Sequence, residues 1–195
     1  MKDISYIGSR EWLLDLGFGD LVSMAYFLGS EWSEYRLRAS LHEEGLYAIV
    51  RASGPIDAIA VAERFHMAQL DPDGVEIAEV PNSSKPGQWR RRWWKADDLN
   101  KRWIERADLL YLGKSDPQLK VRLGQLRRFA LGGLGHTGGQ VLWHIRGYTQ
   151  RLEIGVLPIS RFPAGLPRPP RAAEKRLLAE FRAHYNSLPF ANIIN

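Results

Sequence analysis

The tightest constraint on the fold comes from two short apolar runs that lie far apart in the chain. Residues 45–50 (GLYAIV) lie between an acidic pair and the turn residues Ser53-Gly54-Pro55, and residues 107–113 (ADLLYLG) form a second run of the same kind. Apolar runs of this length that are bounded by turn residues predict buried strands. The two runs are therefore candidate strands separated by a long intervening stretch.

Further elements are predicted around these two runs. Residue spacing and capping residues predict one or two helices within 10–28, helices over 56–68, 117–130 and 170–188, a short helix ending near Ile104, and strands at 75–80, 139–146 and 151–158. Asp116 is the expected N-cap of the helix over 117–130, and Pro117 its first residue, because the missing N–H of proline costs nothing there.

Length and cysteine content exclude several classes of protein. The chain has 195 residues, enough to bury a sizeable core without disulfides or structural metal, and it contains no cysteine. The absence of cysteine excludes thiolate zinc sites, iron–sulfur clusters and cysteine nucleophiles, and it fits a reducing compartment. The most apolar stretch, 21–28, is far shorter than the ~20 residues of a membrane span. We therefore expect a cytoplasmic protein with no membrane partner.

Charge is distributed very unevenly along the chain. Residues 1–86 carry seven Lys and Arg against fourteen Asp and Glu, a net charge of −7, whereas residues 87–195 carry +12. A strongly basic half favours a polyanionic partner such as nucleic acid, because Lys and Arg that neutralise phosphates release counterions. A merely solvated basic surface is the alternative that charge alone leaves open.

Three patterns that could indicate a binding site do not meet the requirements of such a site. Residues 113–115 (GKS) resemble the end of a phosphate-binding loop, but Asp108 stands where that loop needs glycine. Residues 133–138 (GLGHTG) match a dinucleotide fingerprint, yet they follow a predicted helix and precede a predicted strand, which is the reverse of the required order. The five histidines have no close metal-ligand spacing.

An ordered set of residues survives these exclusions. It consists of Gly45-Leu46-Tyr47, then Tyr111-Leu112-Gly113, then Lys114-Ser115 with Arg122 on the following helix, then Glu174, and finally Pro189-Phe190-Ala191-Asn192. In the order of its five elements this set resembles the GIY-YIG nuclease superfamily. The resemblance covers residue 44 to the C-terminus, apart from much of 54–106.

The resemblance implies roles for two tyrosines and a lysine. Tyr47 would act as general base or orient the attacking water, and Tyr111 would line the same cleft. A phenol titrates near pH 10, so a basic Tyr47 would need a neighbouring cation, for which Lys114 is the candidate. The alternative is that both tyrosines are ordinary aromatic residues of strands.

The resemblance also assigns a cation, a metal ligand and an anchor. Arg122 would reach over the sheet edge toward a phosphate, and Glu174, expected in the first turn of the last helix, would hold Mg²⁺ or Mn²⁺ together with water and the substrate phosphate. Compensation of the helix dipole is the alternative for Glu174. Asn192 would anchor the C-terminal segment near the site.

The chain departs from the family pattern in two ways. Tyr47 and Tyr111 are 64 positions apart, whereas most members join these strands by a short hairpin, so residues 54–106 are an expected insertion. A histidine that is common four residues after the arginine is Leu126 here. A proton carrier is then missing, unless Lys114 or His136 takes its place.

The insertion carries basic residues interleaved with tryptophans. Arginines attract phosphates and indoles stack on bases, so residues 89–95 (WRRRWWK) are candidate nucleic-acid contacts. Alternatively, the tryptophans belong to a core. The full set of expected nucleic-acid contacts is Arg90, Arg91, Arg92, Lys95, Lys120, Arg127, Arg128 and His136.

Together these arguments predict an α+β fold with a small, mainly antiparallel three-stranded sheet flanked by helices. Residues 1–43 would form an acidic extension that packs on the core, and residues 44–195 a GIY-YIG-like domain with its insertion at about 54–106. The implied activity is metal-dependent endonucleolytic hydrolysis of DNA, with RNA as the other candidate substrate. The alternative is a related module that binds nucleic acid or protein and has weak or lost catalysis.

Overall fold

The computed structural model describes residues 6–52, 69–70, 76–81, 89–93, 96–131, 141–142, 145 and 147–192, and between residues 69 and 97 it describes the backbone only. In chain order the elements are α1 (Arg10–Asp15), β1 (Gly19–Ser23), α2 (Met24–Leu28), α3 (Trp32–Tyr35), β2 (Gly45–Arg51), β3 (Gln69–Leu70), β4 (Glu76–Pro81), β5 (Trp89–Trp93), α4 (Ala96–Arg102), β6 (Leu109–Ser115), α5 (Leu119–Ala130), α6 (Tyr148–Arg151), β7 (Leu152–Pro158) and α7 (Pro170–Tyr185), with 3₁₀ turns at Ala39–His42 and Ile159–Arg161. Within these residues, no helix has both the length and the apolar character of a membrane span.

The main sheet has four strands in the order β1-β7-β2-β6, and every neighbouring pair is antiparallel. The predicted α+β class is confirmed, but the sheet has four strands rather than the predicted three. The fourth strand is β1, which lies within residues 10–28, where one or two helices and no strand were predicted. This strand has only five residues and pairs with β7, more than a hundred residues away in the sequence, so its local pattern does not report its partner.

Both faces of the main sheet are covered, which explains the unbroken apolar run of β2. All seven residues of β2 are buried. Tyr47 and Ile49 face a core formed with α2, α3 and α5, whereas Leu46, Ala48 and Val50 face a second core formed with α1 and α7. A strand that is buried on both faces has no need of polar residues at alternate positions.

A second sheet lies within the expected insertion. Its strands follow the order β3-β4-β5, all antiparallel, so the strand predicted at 75–80 is present as Glu76–Pro81. The helix predicted over 56–68 lies outside the described residues. The strand predicted at 139–146 is wrong at residues 141–142, which lie in a 3₁₀ turn, and the structure describes only residue 145 of the remainder. Val141, Leu142 and Ile145 are all buried in one core, and a short apolar run does not distinguish this arrangement from a strand.

The connection from β6 to α5 is built differently from the predicted cap. The helix α5 begins at Leu119, with Gln118 as N-cap, rather than at Pro117 with Asp116 as N-cap. The Asp116 carboxylate instead forms an ion pair with Lys114. The Ser115 hydroxyl donates to the Pro117 carbonyl at 2.8 Å and fixes the turn. The helix α7, in contrast, begins at Pro170 as predicted.

Candidate functional site

A cavity lies at the edge of the main sheet, where β6 ends. The strand β6 is an edge strand, and its last residues lie where α5, from one face of the sheet, and α7, from the other, approach each other. The cavity has a volume of about 420 Å³ and is lined by Tyr47, Tyr111, Lys114, Ser115, Asp116, Pro117, Arg122, Gln125 and Glu174. Five of the six residues predicted as catalytic or metal-binding therefore line one cavity.

The two tyrosines form a contact pair across the strands. Tyr47 lies opposite Gly113 and Tyr111 opposite Ile49 in the register of β2 and β6, so the rings are diagonal neighbours on one face. Their centroids are 5.8 Å apart and the Tyr47 hydroxyl donates a hydrogen bond to that of Tyr111. A Cβ at Gly113 would lie 2.6 Å from the Tyr47 oxygen and 2.8 Å from a Tyr111 ring carbon. Glycine is required here because the rings cross over its backbone.

Burial keeps both phenols neutral. Desolvation and the neighbouring Tyr111 raise the pKa of Tyr47 well above its ordinary value, against a smaller opposing effect of Arg122, which donates to the Tyr47 oxygen. Burial also raises the pKa of Tyr111. The lowered pKa that a basic Tyr47 would require is therefore absent. What the geometry provides instead is an oriented hydroxyl at the wall of the cavity.

Arg122 is fixed by a residue that the sequence did not single out. The half-buried guanidinium projects from α5 and donates to the Gln125 side-chain oxygen at 3.0 Å. Gln125 lies three residues after Arg122, on the same side of the helix, and that spacing is the signal that could have identified it. Because Gln125 holds one side of the guanidinium, Arg122 presents the rest of its donors to Tyr47 and the cavity.

Glu174 lies in the second turn of α7, not in the first as predicted, because the helix begins at Pro170 and its first turn has no acidic residue. Compensation of the helix dipole is therefore a weak explanation for this carboxylate. Burial and the nearby Asp116 raise the pKa of Glu174, and Lys114, Arg122 and Arg171 partly offset them. A partly buried carboxylate that lies beside three cations is suited to bind a ligand in the cavity.

Two carboxylates of the cavity could take part in binding a hard divalent cation. Glu174 and Asp116 line the same cavity, and Mg²⁺ or Mn²⁺ is bound by one or two carboxylates completed by water and phosphate oxygens. Among the described residues there is no group of three or more His, Cys, Asp or Glu side chains that could hold a metal on its own. Glu174 would accordingly be the protein ligand and Asp116 its neighbour.

Asn192 lies behind the cavity rather than in it. Its side-chain amide accepts a hydrogen bond from the Leu112 N–H at 2.9 Å and donates to the Leu112 carbonyl at 2.8 Å, and Ala191 N–H donates to the Leu110 carbonyl. These bonds imitate a strand partner and cover the exposed edge of β6. Asn192 therefore fixes the backbone between Tyr111 and Gly113 and is a positioning residue.

The predicted nucleic-acid contacts are dispersed. Arg90, Arg91 and Arg92 lie on β5, opposite Val80, Glu79 and Ala78 of β4, and no side chain of this sheet is described. Lys95 and His136 lie outside the described residues.

Three further predicted contacts lie on α5. Arg128 is exposed, and the Lys120 ammonium lies 3.2 Å from the His42 ring. Arg127 donates to the Leu28 and Gly29 carbonyls at 2.9 and 3.1 Å, which ties α5 to the end of α2. Leu126, the residue before Arg127, is fully buried in a core.

Comparisons of the chain with protein-family models, with curated proteins and with solved structures find no match. The functional assignment therefore depends on the residues of the cavity and on their arrangement.

Proposed function

We propose that this protein is a metal-dependent endonuclease, similar to the GIY-YIG nucleases, that hydrolyses phosphodiester bonds in DNA. One observation carries the proposal. Tyr47, Tyr111, Arg122 and Glu174 come from four separate elements, were selected from the sequence by motif order alone, and line one cavity together with Lys114. Ordinary strand tyrosines and surface charges have no reason to converge in this way.

Positive charge would stabilise the reacting phosphate. Hydrolysis places extra negative charge on the phosphate oxygens in the transition state, and preorganised donors aimed at that charge are a major source of catalysis. The Arg122 guanidinium, held by Gln125, and the Lys114 ammonium are the donors at this cavity. Arginine suits the task because its planar fork can bind two phosphate oxygens at once.

The tyrosines would orient the attacking water rather than take its proton. A phenol whose pKa lies far above 10 stays protonated at neutral pH, so it cannot take the proton of the attacking water. The Tyr47 oxygen already accepts from Arg122 and its proton points to Tyr111, so the hydroxyl direction is fixed. Fixed hydroxyls hold water at a defined angle to the phosphate.

Glu174 would bind Mg²⁺ or Mn²⁺, which supplies Lewis-acid stabilisation of the phosphate and leaving oxygens. Burial, the main cause of the raised pKa of Glu174, also favours a cation at this carboxylate, because a bound cation would lower that pKa again. A carboxylate that is partly desolvated in the free protein gains more from a bound cation than one in bulk water.

We take DNA as the substrate on the strength of the basic second half of the chain, with RNA as the other substrate to be tested. The absence of cysteine places the activity in the cytoplasm in this proposal.

The deciding experiment is nicking of supercoiled plasmid by purified protein with Mg²⁺ or Mn²⁺ and with an EDTA control. Glu174→Gln should reduce nicking by about a hundred-fold or more, since one ligand or donor in a hydrolytic site commonly contributes that much. Glu180→Gln is the matched control, because Glu180 lies on the same helix, pairs with the exposed Arg176 and does not line the cavity. Equal nicking by the wild type and by Glu174→Gln would show that Glu174 has no part in cleavage.

The alternative function is a nucleic-acid-binding or protein-interaction module without catalysis. One observation favours it: Leu126, where a histidine is common in the family, is buried in a core, so that the helix supplies no proton carrier at this position. Salt-sensitive DNA binding without nicking by either metal would support this alternative.

A further inference from the structure

A second, larger groove adjoins the candidate site. It has a volume of about 610 Å³, lies along the outer face of α7, and shares Lys114 and Glu174 with the site cavity. Its other lining residues are Arg171, Lys175, Leu178, Ala179, Arg182 and Leu188. The groove therefore continues from the candidate site along the helix.

The cations of the groove lie on one side of α7. Arg171, Lys175 and Arg182 are separated by four and seven residues, spacings that place side chains on the same face of a helix. With a rise of 1.5 Å per residue, the distance from the first to the last is about 16 Å, which equals roughly five nucleotides of a stacked strand at 3.4 Å each. A row of this length can contact several successive phosphates.

The three cations of the groove differ from their neighbour Arg176 in their ion pairs. Within the part of the chain that the structure describes, Arg171, Lys175 and Arg182 form no ion pair, and the only acidic residue that lines the groove is Glu174. Arg176 on the same helix behaves differently, since it pairs with Glu180 at 3.0 Å and also donates to the Gly165 carbonyl. The groove thus concentrates a net positive charge on one face of α7, although Arg171 interacts electrostatically with Glu174.

The floor of the groove is apolar. Leu178 and Leu188 are half-buried and Ala179 is exposed, so that aliphatic surface lies between the cationic walls. Phosphates alone gain nothing from such a floor, whereas the sugars and bases of an unpaired strand can cover it. The bases of a duplex are stacked inside the helix and are not available for this contact.

We propose that this groove binds an unpaired nucleic-acid strand that flanks the scissile phosphate. The phosphates lie against Arg171, Lys175 and Arg182, and the sugars or bases lie on Leu178 and Leu188. The inference rests on the proposed function, because it continues the same strand out of the cavity, and it adds a substrate class: single-stranded or branched nucleic acid, in preference to a continuous duplex.

The test is binding of a short fluorescein-labelled DNA oligonucleotide, as a single strand and as a duplex, measured by anisotropy in EDTA over about 0.05 to 0.2 M salt. Lys175→Gln and Arg176→Gln form a matched pair of adjacent substitutions that remove the same charge. For the single strand, Lys175→Gln should lower the slope of log affinity against log salt by about 0.7, and Arg176→Gln should leave it unchanged. The triple variant Arg171→Gln, Lys175→Gln, Arg182→Gln should lower it by about 2.

Two results would overturn the groove proposal: equal slopes for Lys175→Gln and Arg176→Gln, or tighter binding of the duplex than of the single strand by the wild type. The plasmid experiment separates this failure from failure of the nuclease proposal, because binding in EDTA does not depend on cleavage. Nicking together with unchanged salt slopes would contradict the groove proposal and support the nuclease proposal. Reduced salt slopes without nicking would support the groove proposal and contradict the nuclease proposal.

Discussion

The candidate site has one half contributed by the sheet and another contributed by α7, and the two halves differ in burial. Tyr47 is fully buried and Tyr111 nearly so, and both pack within a hydrophobic core. Glu174, on α7, is only partly buried and faces an open cavity. The sheet half is therefore part of the core as well as part of the site, whereas the α7 half is surface.

Because of this difference, we expect substitutions in the two halves to change the free energy of unfolding by different amounts. Removing a ring from the sheet half leaves a cavity in the core and lowers the free energy of unfolding, whatever it does to activity. Removing a charge from the α7 half leaves the core intact, so any loss of activity reports on function alone. Loss of activity is thus informative for Glu174 by itself, and for Tyr47 only beside a stability measurement.

The same contrast recurs within α5. Arg127 uses its guanidinium to bind two backbone carbonyls at the end of α2, whereas Arg122 directs its guanidinium toward Gln125 and Tyr47. Both are half-buried arginines of one helix, five residues apart. Their partners, rather than their exposure, separate a structural arginine from a candidate catalytic one.

The largest effect is expected for Tyr47. Tyr47→Ala should lower the free energy of unfolding by about 3–5 kcal/mol, because it empties a fully buried ring position. Tyr47→Phe keeps the ring and removes the hydroxyl with its two hydrogen bonds, so it should cost only about 1–2 kcal/mol. Urea denaturation measures both values. Nicking by Tyr47→Phe at the wild-type rate would show that the hydroxyl has no part in the reaction.

A smaller effect is expected for Gly113. The added methyl of Gly113→Ala would overlap the rings of Tyr47 and Tyr111, which should cost about 1–3 kcal/mol and displace both hydroxyls. Gly124→Ala on α5 is the matched control, since its Cβ would lie 3.7 Å from the nearest atom of Trp32, an ordinary contact. Alanine favours a helix interior over glycine by up to about 1 kcal/mol, so this control should be neutral or stabilising.

Unchanged unfolding midpoints for both glycine variants would contradict the crossing of the tyrosine rings over Gly113. Destabilisation of the two variants by the same amount would do so as well, because the expected effects have opposite sign.

The elements that the sequence predicted well are those whose signal is local. The strands β2 and β6 are apolar because both faces are covered, and α7 begins at a proline that fixes its first turn. An element that depends on a distant partner was missed, because β1 exists only where β7 pairs with it. The predicted start of α5 was wrong for a local reason, since Asp116 pairs with Lys114 instead of capping the helix.

For the site, motif order was enough to find five residues that line the cavity, but not their electrostatics. The raised pKa of Tyr47 follows from complete burial by side chains of several elements, which no spacing reports. The groove along α7 was missed for a similar reason. Its cations are visible in the sequence at helical spacing, but the sequence does not show that, among the described residues, Arg176 forms an ion pair and these cations do not.

The smallest effect is expected for Glu174, and its sign depends on pH. Burial raises the pKa of this carboxyl in the folded protein, so folding favours the protonated form. The resulting stabilisation is complete below the ordinary pKa of a glutamate and is lost as the pH rises through the raised value. At about pH 7 the wild type therefore carries the cost of a partly desolvated carboxylate, and Glu174→Gln should be at least as stable as the wild type. The two proteins should differ least in the acid range, below about pH 4, where both side chains are neutral. Thermal unfolding of the two proteins across this range measures the difference.

Mn²⁺ at neutral pH should raise the midpoint of the wild type and leave that of Glu174→Gln unchanged, because only the carboxylate binds the cation. A variant that is less stable than the wild type at neutral pH, with or without metal, would mean that Glu174 supports the fold, and the two halves of the site would then not differ as described.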